Sequence, residues 1–246
     1  SDIFGNGRAA DAMATNKNTL LIAQNKLNWL GLDGTTNGRD ILGADISREV
    51  SLGTIHEFKG GNYNIGPKSM AFSPDGKWVY MTCYFWDFSW HQGALNAVTR
   101  MATDKNEAPI LWKGSLNQSK YNCAPEERQT GVAPADFIQP MSVACDSEGK
   151  VYIADYFNDR IQIFNEDGSF VTSINSNKPT KVSVHPKTGE IYVFSWAVSG
   201  IEWHNAIKKN PQCSIVPATL TKIESFKTPE KQLKFELPLF WSTYNN

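Results

Sequence analysis

The sequence predicts an all-β fold built from a repeated unit of short antiparallel strands. A pattern of apolar strand, tight turn and Tyr-bearing strand recurs along its 246 residues. The turns carry the residue types that hairpins require, and no segment of useful length has helical periodicity. Together these observations exclude a mainly helical or mixed α/β architecture.

The repeated unit is an apolar strand, a turn that ends in Gly, and a second strand that carries a Tyr. It occurs in residues 69–82, 141–154 and 181–194. A weaker copy spans residues 11–23, where an Asn-rich turn replaces the Gly. Gly76 and Gly149 stand where such turns need a positive φ, which favours Gly. Each copy therefore predicts a β-hairpin.

Strands follow one another most closely in the copy at residues 141–154 and directly after it. Four are predicted there, over residues 140–145, 150–154, 160–164 and 169–174. Four short antiparallel strands per repeat are typical of a β-propeller blade. We predict one propeller domain over residues 1–246, with blades at 9–62, 67–115, 138–176 and 179–236 and the start of a further blade at 237–246.

Residues 139–175 resemble an NHL repeat. The resemblance rests on Gln139-Pro140, on Asp155, and on Arg160 followed by alternating apolar residues, although Asp159 stands where the family usually has His. Residues 67–82 resemble the related YVTN variant. The resemblance implies the propeller fold, but it implies little about function, because propellers host many unrelated activities.

The resemblance to NHL repeats implies a closed ring of about six or seven blades, so the four predicted blades are few. An open ring would expose strand edges. Three arrangements stay open: a piece of a longer protein, a small ring closed by exchange of terminal strands, and a half-ring completed by another chain. We expect a fragment or part of a larger assembly.

Composition excludes some function classes. The net charge of −1 is unlike the strongly basic field of nucleic-acid-binding proteins. No apolar stretch is long enough for a membrane span. The sequence also lacks a nucleophile elbow, a phosphate loop and a metalloprotease helix. The aromatic share of 12%, with 8 Trp, is high, so the placement of the aromatics matters.

In a blade, the loop between the second and third strands opens on the same face as the connections between blades. Residues 84–91, 156–159 and 195–205 occupy this position, and all three segments are aromatic-rich. The candidate partner-binding residues are Tyr84, Trp86, Trp90, His91, Tyr156, Trp196, Trp203 and His204. Two interpretations stay open: the aromatic side chains pack against one another and cover one end of the ring, or they form a recognition surface.

A divalent metal is the one cofactor that the residues suggest. His91 and His204, with Asp87 or Glu202, offer the imidazole and carboxylate groups that zinc and iron bind. The rival function is therefore a calcium- or zinc-dependent propeller hydrolase, lactonase or lyase. Asp155 and Asn158 are its candidate channel residues. Ordinary hydrogen-bonded histidines are the alternative interpretation.

The four cysteines form no C-x-x-C pair. Cys123 and Cys213 lie in loop-like stretches and could form a disulfide in an oxidising compartment; four free thiols are the alternative. We predict a non-catalytic binding or scaffolding module in an extracellular or periplasmic space. A protein partner or a larger assembly is the first expectation for its ligand, with a carbohydrate or small molecule as alternatives.

Overall fold

The structure is a computed structural model. It describes residues 12–16, 19–23, 26–32, 50–51, 67–86, 93–104, 109–120, 133–196 and 218–237. Sixteen β-strands fall within these ranges, and the one helical segment among them is a single 3-10 turn at Tyr156–Asn158. The prediction of an all-β fold is confirmed.

The strands form four antiparallel sheets of four strands each, and within each sheet the strands lie side by side in chain order. The first sheet contains β1 Ala12–Thr15, β2 Thr19–Ala23, β3 Lys26–Gly31 and β4 Val50–Ser51. The second contains β5 Pro67–Phe72, β6 Trp78–Trp86, β7 Gly93–Ala102 and β8 Ile110–Lys120. The third contains β9 Pro140–Cys145, β10 Val151–Asp155, β11 Arg160–Phe164 and β12 Phe170–Asn175. The fourth contains β13 Pro179–Val184, β14 Ile191–Ser195, β15 Thr219–Ile223 and β16 Gln232–Glu236.

The tight turns explain why the chain reverses where it does. Gly76 and Gly149 have φ of +74° and +87°, as predicted for the turns between first and second strands. Gly189 holds the same position in the fourth sheet, with φ of +73°. A residue with a Cβ is strained in this conformation, so Gly sets the turn of these three hairpins.

The sheets pack face to face around a common axis. The first strands of neighbouring sheets contact each other in the order β1, β5, β9 and β13. In β10, Val151 and Ile153 face the second sheet, whereas Tyr152 and Ala154 face the fourth. This alternation follows from the two-residue period of a strand, and it buries both faces of the inner sheets.

The ring is not closed by these four sheets. Their arrangement is radial, with the first strand of each sheet innermost and the fourth outermost. In the part of the chain that the structure describes, no helix is long and apolar enough to cross a membrane.

Candidate functional site

One end of the ring carries the loops that the sequence indicates as a site. Because the strands are antiparallel, the loops between second and third strands and the connections between sheets emerge at this end. We call it the loop face; its described parts are residues 133–139, 156–159, 176–178 and Trp196. They come from four different connections in the chain, between β8 and β9, β10 and β11, β12 and β13, and β14 and β15.

Lys178 joins two of the predicted loops. Its backbone N–H and its ammonium donate to Asp159 Oδ1 at 2.9 and 3.0 Å. Its carbonyl accepts from the backbone N–H of Trp196 at 3.2 Å. The ammonium also lies 5.6 Å from the ring of Tyr156 and 5.8 Å from that of Phe157. The structure thus brings the predicted residues Tyr156 and Trp196 to one face.

These two aromatics differ in exposure. Tyr156 is fully buried and packs edge to face against Phe157, with ring centroids 4.9 Å apart. Trp196 is 47% exposed. Tyr156 therefore supports the loop face from beneath, whereas Trp196 presents apolar surface on it.

Most of the other candidate residues lie outside the described part of the chain. Tyr84 and Trp86 belong to β6, whose backbone reaches the loop face, but their side chains are not described. Outside the described residues lie Trp90, His91, Trp203, His204, Asp87, Glu202, Cys123 and Cys213. The described residues contain no group of three His, Cys, Asp or Glu side chains placed to hold a metal, and their cysteines, Cys83 and Cys145, are free.

The loop face also concentrates unusual backbone conformations. Five residues other than Gly have positive φ among the described ranges: Cys83, Ala135, Gln139, Asp159 and Lys178. Four of them lie in loops of this face. Cys83 lies in β6, where the pairing of β6 with β7 changes register close to the loop face. Such residues cost about 1–3 kcal/mol each and occur preferentially at functional sites. The sequence gives no signal for them, since none is Gly.

A buried carboxylate organises the loops of the third sheet. Asp155 is fully buried at the end of β10. Its Oδ1 accepts from the backbone N–H of Ile138 at 2.9 Å. Its Oδ2 accepts from Asn158 Nδ2 at 2.8 Å, Arg160 Nε at 2.9 Å and Gln162 Nε2 at 2.9 Å. We call these five residues the Asp155 network.

The network extends into residues 133–136. Arg160 donates to the carbonyls of Ala133 and Asp136, and Asn158 Nδ2 donates to the carbonyl of Asp136 at 2.8 Å. Gln162 Oε1 accepts from the backbone N–H of Ala135 at 3.0 Å. The loop before the third sheet is therefore held on the loop between its second and third strands.

The network does not suit a cation. Burial raises the pKa of Asp155, and the donors from Asn158, Ile138, Arg160 and Gln162 act in the opposite direction. Both carboxylate oxygens already accept from protein donors, and one of these donors is a guanidinium. Asp155 and Asn158 thus have a structural role here. Gln162 is not among the site residues predicted from the sequence; its one signal there is a polar residue between two Ile of β11.

Cys83 lies between the inner strands, where its Sγ is 3.7 Å from Met141 Sδ. Burial raises the pKa of its thiol to about 12, and nearby Lys68 and Lys181 act weakly in the opposite direction. Since the thiolate is the nucleophile, Cys83 is expected to be unreactive at neutral pH.

We predict that iodoacetamide labels Cys83 far more slowly in the folded protein than in denaturant. A rise in pKa from 9.0 to about 12 lowers the thiolate fraction about a thousandfold at pH 7, and burial slows access further. Mass spectrometry of the labelled peptide measures the rate. Equal rates for folded and denatured protein would show that Cys83 is accessible.

Comparisons with known proteins bear on the fold. No family model matches the chain, and no curated protein sequence matches it. Hydrazine synthase from Kuenenia stuttgartiensis is similar in structure, with a TM-score of 0.53 and 12% identity over 96% of this chain and 53% of that chain. The WD40 repeats of RRP9 are similar with a TM-score of 0.53 and 10% identity over 94% and 52%. U3-55K gives a TM-score of 0.53 and 10% identity over 94% and 53%.

The fold is that of a β-propeller. At 10–12% identity these structures share the fold alone with this chain. The chain spans about half the length of the solved structures that it matches. The finer resemblance to NHL repeats finds no matching family model and stays a prediction.

Proposed function

We propose that this chain is a non-catalytic binding or scaffolding module whose partner contacts the loop face. The observation that carries the proposal is the connection of Asp159, Lys178 and Trp196. It holds the backbone of Trp196, whose indole is partly exposed, against the loop that contains Lys178. An aromatic anchor on rigid loops is characteristic of interaction surfaces.

Two features support a role in binding over chemistry. Both carboxylate oxygens of Asp155, which is buried beside the loop face, already accept hydrogen bonds from protein donors. The strained residues Ala135, Gln139, Asp159 and Lys178 fix the shapes of the loops. Strain of this kind preorganises a surface, and preorganisation favours binding because less conformational entropy is lost.

The proposed partner is a protein, or another subunit of a larger assembly, in an extracellular or periplasmic space. Trp contributes a large contact area with one polar N–H, which suits a protein surface. The proposal extends to the other predicted residues of this face, which are Tyr84, Trp86, Trp90, His91, Trp203 and His204. A carbohydrate that stacks on the same indoles is the alternative outcome of the test.

The experiment compares Trp196→Ala with Ile110→Ala. Ile110 is 56% exposed at the start of β8, away from the loop face, so it controls for loss of exposed apolar surface. Tagged proteins are incubated with extract of the source organism, and retained proteins are quantified by mass spectrometry. The same proteins are applied to a glycan array.

We expect Trp196→Ala to reduce retention of a specific protein about tenfold or more, as loss of an interface anchor usually does. Ile110→Ala should retain it like the wild type. Trp86→Ala combined with Trp203→Ala extends the test to the rest of the face. Unchanged retention by every Trp variant, with thermal unfolding like the wild type, would overturn the proposal. If the wild type binds a glycan and Trp196→Ala abolishes that binding, the partner is a carbohydrate and not a protein.

A further inference from the structure

Among the residues that the structure describes, the first and fourth sheets each leave one face without a neighbouring sheet. We call the face of a sheet that points to the next sheet in the chain its forward face, and the opposite one its backward face. The forward faces of the first three sheets pack on the backward faces of the sheets that follow. The forward face of the fourth and the backward face of the first have no such partner within the described residues.

Equivalent residues show the difference on the forward face. The hairpin registers align one residue of each second strand: Leu21, Tyr80, Tyr152 and Tyr192. The first three are at most 1% exposed, whereas Tyr192 is partly exposed. The fourth sheet thus carries the same Tyr as the second and third, but none of the four described sheets covers it.

The apolar surface continues outward across the fourth sheet. Phe194 pairs with Leu220, and Leu220 pairs with Phe235. Phe235 is 53% exposed, and Leu233 on the same face is 60% exposed. Large exposed apolar side chains in one row indicate an interaction surface.

The backward face of the first sheet shows the complementary pattern. Met13 of β1 is 64% exposed, whereas its equivalents are 5% (Met70), 2% (Val143) and 1% (Val182) exposed. Leu20 of β2 is likewise partly exposed, although its equivalents in the other sheets are fully buried. The residue type at each position is apolar in all four sheets, so what differs in the first sheet is that no described sheet packs on this face.

We propose that a second copy of this chain covers both faces. The forward face of the fourth sheet packs on the backward face of the first sheet of the other copy, and the same contact repeats around a two-fold axis. The contact continues an interface that the chain already forms three times between its own sheets. The described residues hold four sheets, so two copies bring eight sheets together, within the usual range of about four to eight blades in a propeller. The inference is independent of the loop face.

The existing interfaces predict which residues meet. Ser69 Oγ lies 3.4 Å from Ser142 Oγ on the next inner strand and accepts from the N–H of Val143 at 3.1 Å. Lys181 is the fourth-sheet equivalent of Ser69, and Ala12 is the first-sheet equivalent of Ser142. Residue 181 of one copy should therefore lie against residue 12 of the other.

Sedimentation velocity of the purified chain tests the association. We expect a species of about twice the monomer mass of 27.5 kDa. Phe235→Asp should weaken the dimer at least tenfold, because a charge would be buried in an apolar interface. Ile110→Asp introduces the same charge at a similarly exposed residue of β8 and should leave the dimer unchanged. A monomer at every concentration, with the wild-type fold intact, would overturn the proposal.

Disulfide trapping tests the geometry separately. Ala12→Cys combined with Lys181→Cys is expected to give a covalent dimer on a non-reducing gel after mild oxidation. Each single substitution should give none through the new cysteine. A disulfide between the two new cysteines of one monomer would show that the two faces meet within one copy. A ladder of larger species would show open-ended chains of copies. Either result would overturn closure of the ring by two copies.

Discussion

Asp155→Ala is expected to lower the free energy of unfolding by about 3–5 kcal/mol, since it removes one partner of a buried ion pair. The substitution leaves the guanidinium of Arg160 and the amides of Asn158 and Gln162 without their common acceptor. An unpaired buried donor loses its hydration without compensation, and a buried charge does so at greater cost. Equilibrium unfolding in urea, followed by fluorescence, measures the change.

Asp167→Ala provides a matched control for this prediction. Asp167 is exposed in the turn between β11 and β12, where it accepts from Ser169. Its loss should cost less than about 1 kcal/mol, as is usual for a surface substitution. Asp155→Asn keeps the size of the side chain but removes the charge that Arg160 pairs with, so it should still be clearly destabilising. Equal effects of Asp155→Ala and Asp167→Ala would mean that the network contributes little to stability.

The Asp155 network also links stability to the candidate site. It holds residues 133–138 on the loop that contains Asn158. We therefore expect Asp155→Ala to increase amide hydrogen exchange in residues 133–139 and 156–159 before it affects β13 and β14. A local effect of this kind would show that the network shapes the loop face in addition to stabilising the third sheet.

The sequence predicts the strands of the third sheet to within about one residue, because turn residues mark both ends of each strand. Predicted strands at 160–164 and 169–174 correspond to Arg160–Phe164 and Phe170–Asn175. The Gly of each tight turn is similarly well predicted, because its positive φ has a strong residue preference.

Other features depend on contacts between distant parts of the chain. Ile138 and Gln162 meet at Asp155 only because the connection before β9 folds back on β11. Tyr156 is of a residue type that is common at contact surfaces, but in the structure it is buried, and Phe157 and Lys178 pack against its ring. Tyr192 is partly exposed because none of the described sheets packs on its side of the fourth sheet, and the sequence of a single repeat cannot reveal this.

Gly114→Ala is expected to destabilise the protein by about 3–5 kcal/mol, through backbone strain and overpacking together. Gly114 has φ of +83°, and a Cβ there would lie 2.2 Å from the backbone oxygen of Asn96 and 2.8 Å from a ring carbon of Phe137. Asn96 also accepts from the N–H of Gln139, so the clash would disturb the connection that forms part of the loop face. Gly189→Ala is the control: its φ of +73° is similar, but no atom lies within 4 Å of the added Cβ, so only about 1–2 kcal/mol should be lost. Urea unfolding of both variants separates the two contributions. If both lose the same stability, the close approach of β8 to Asn96 and Phe137 is not what requires Gly at position 114.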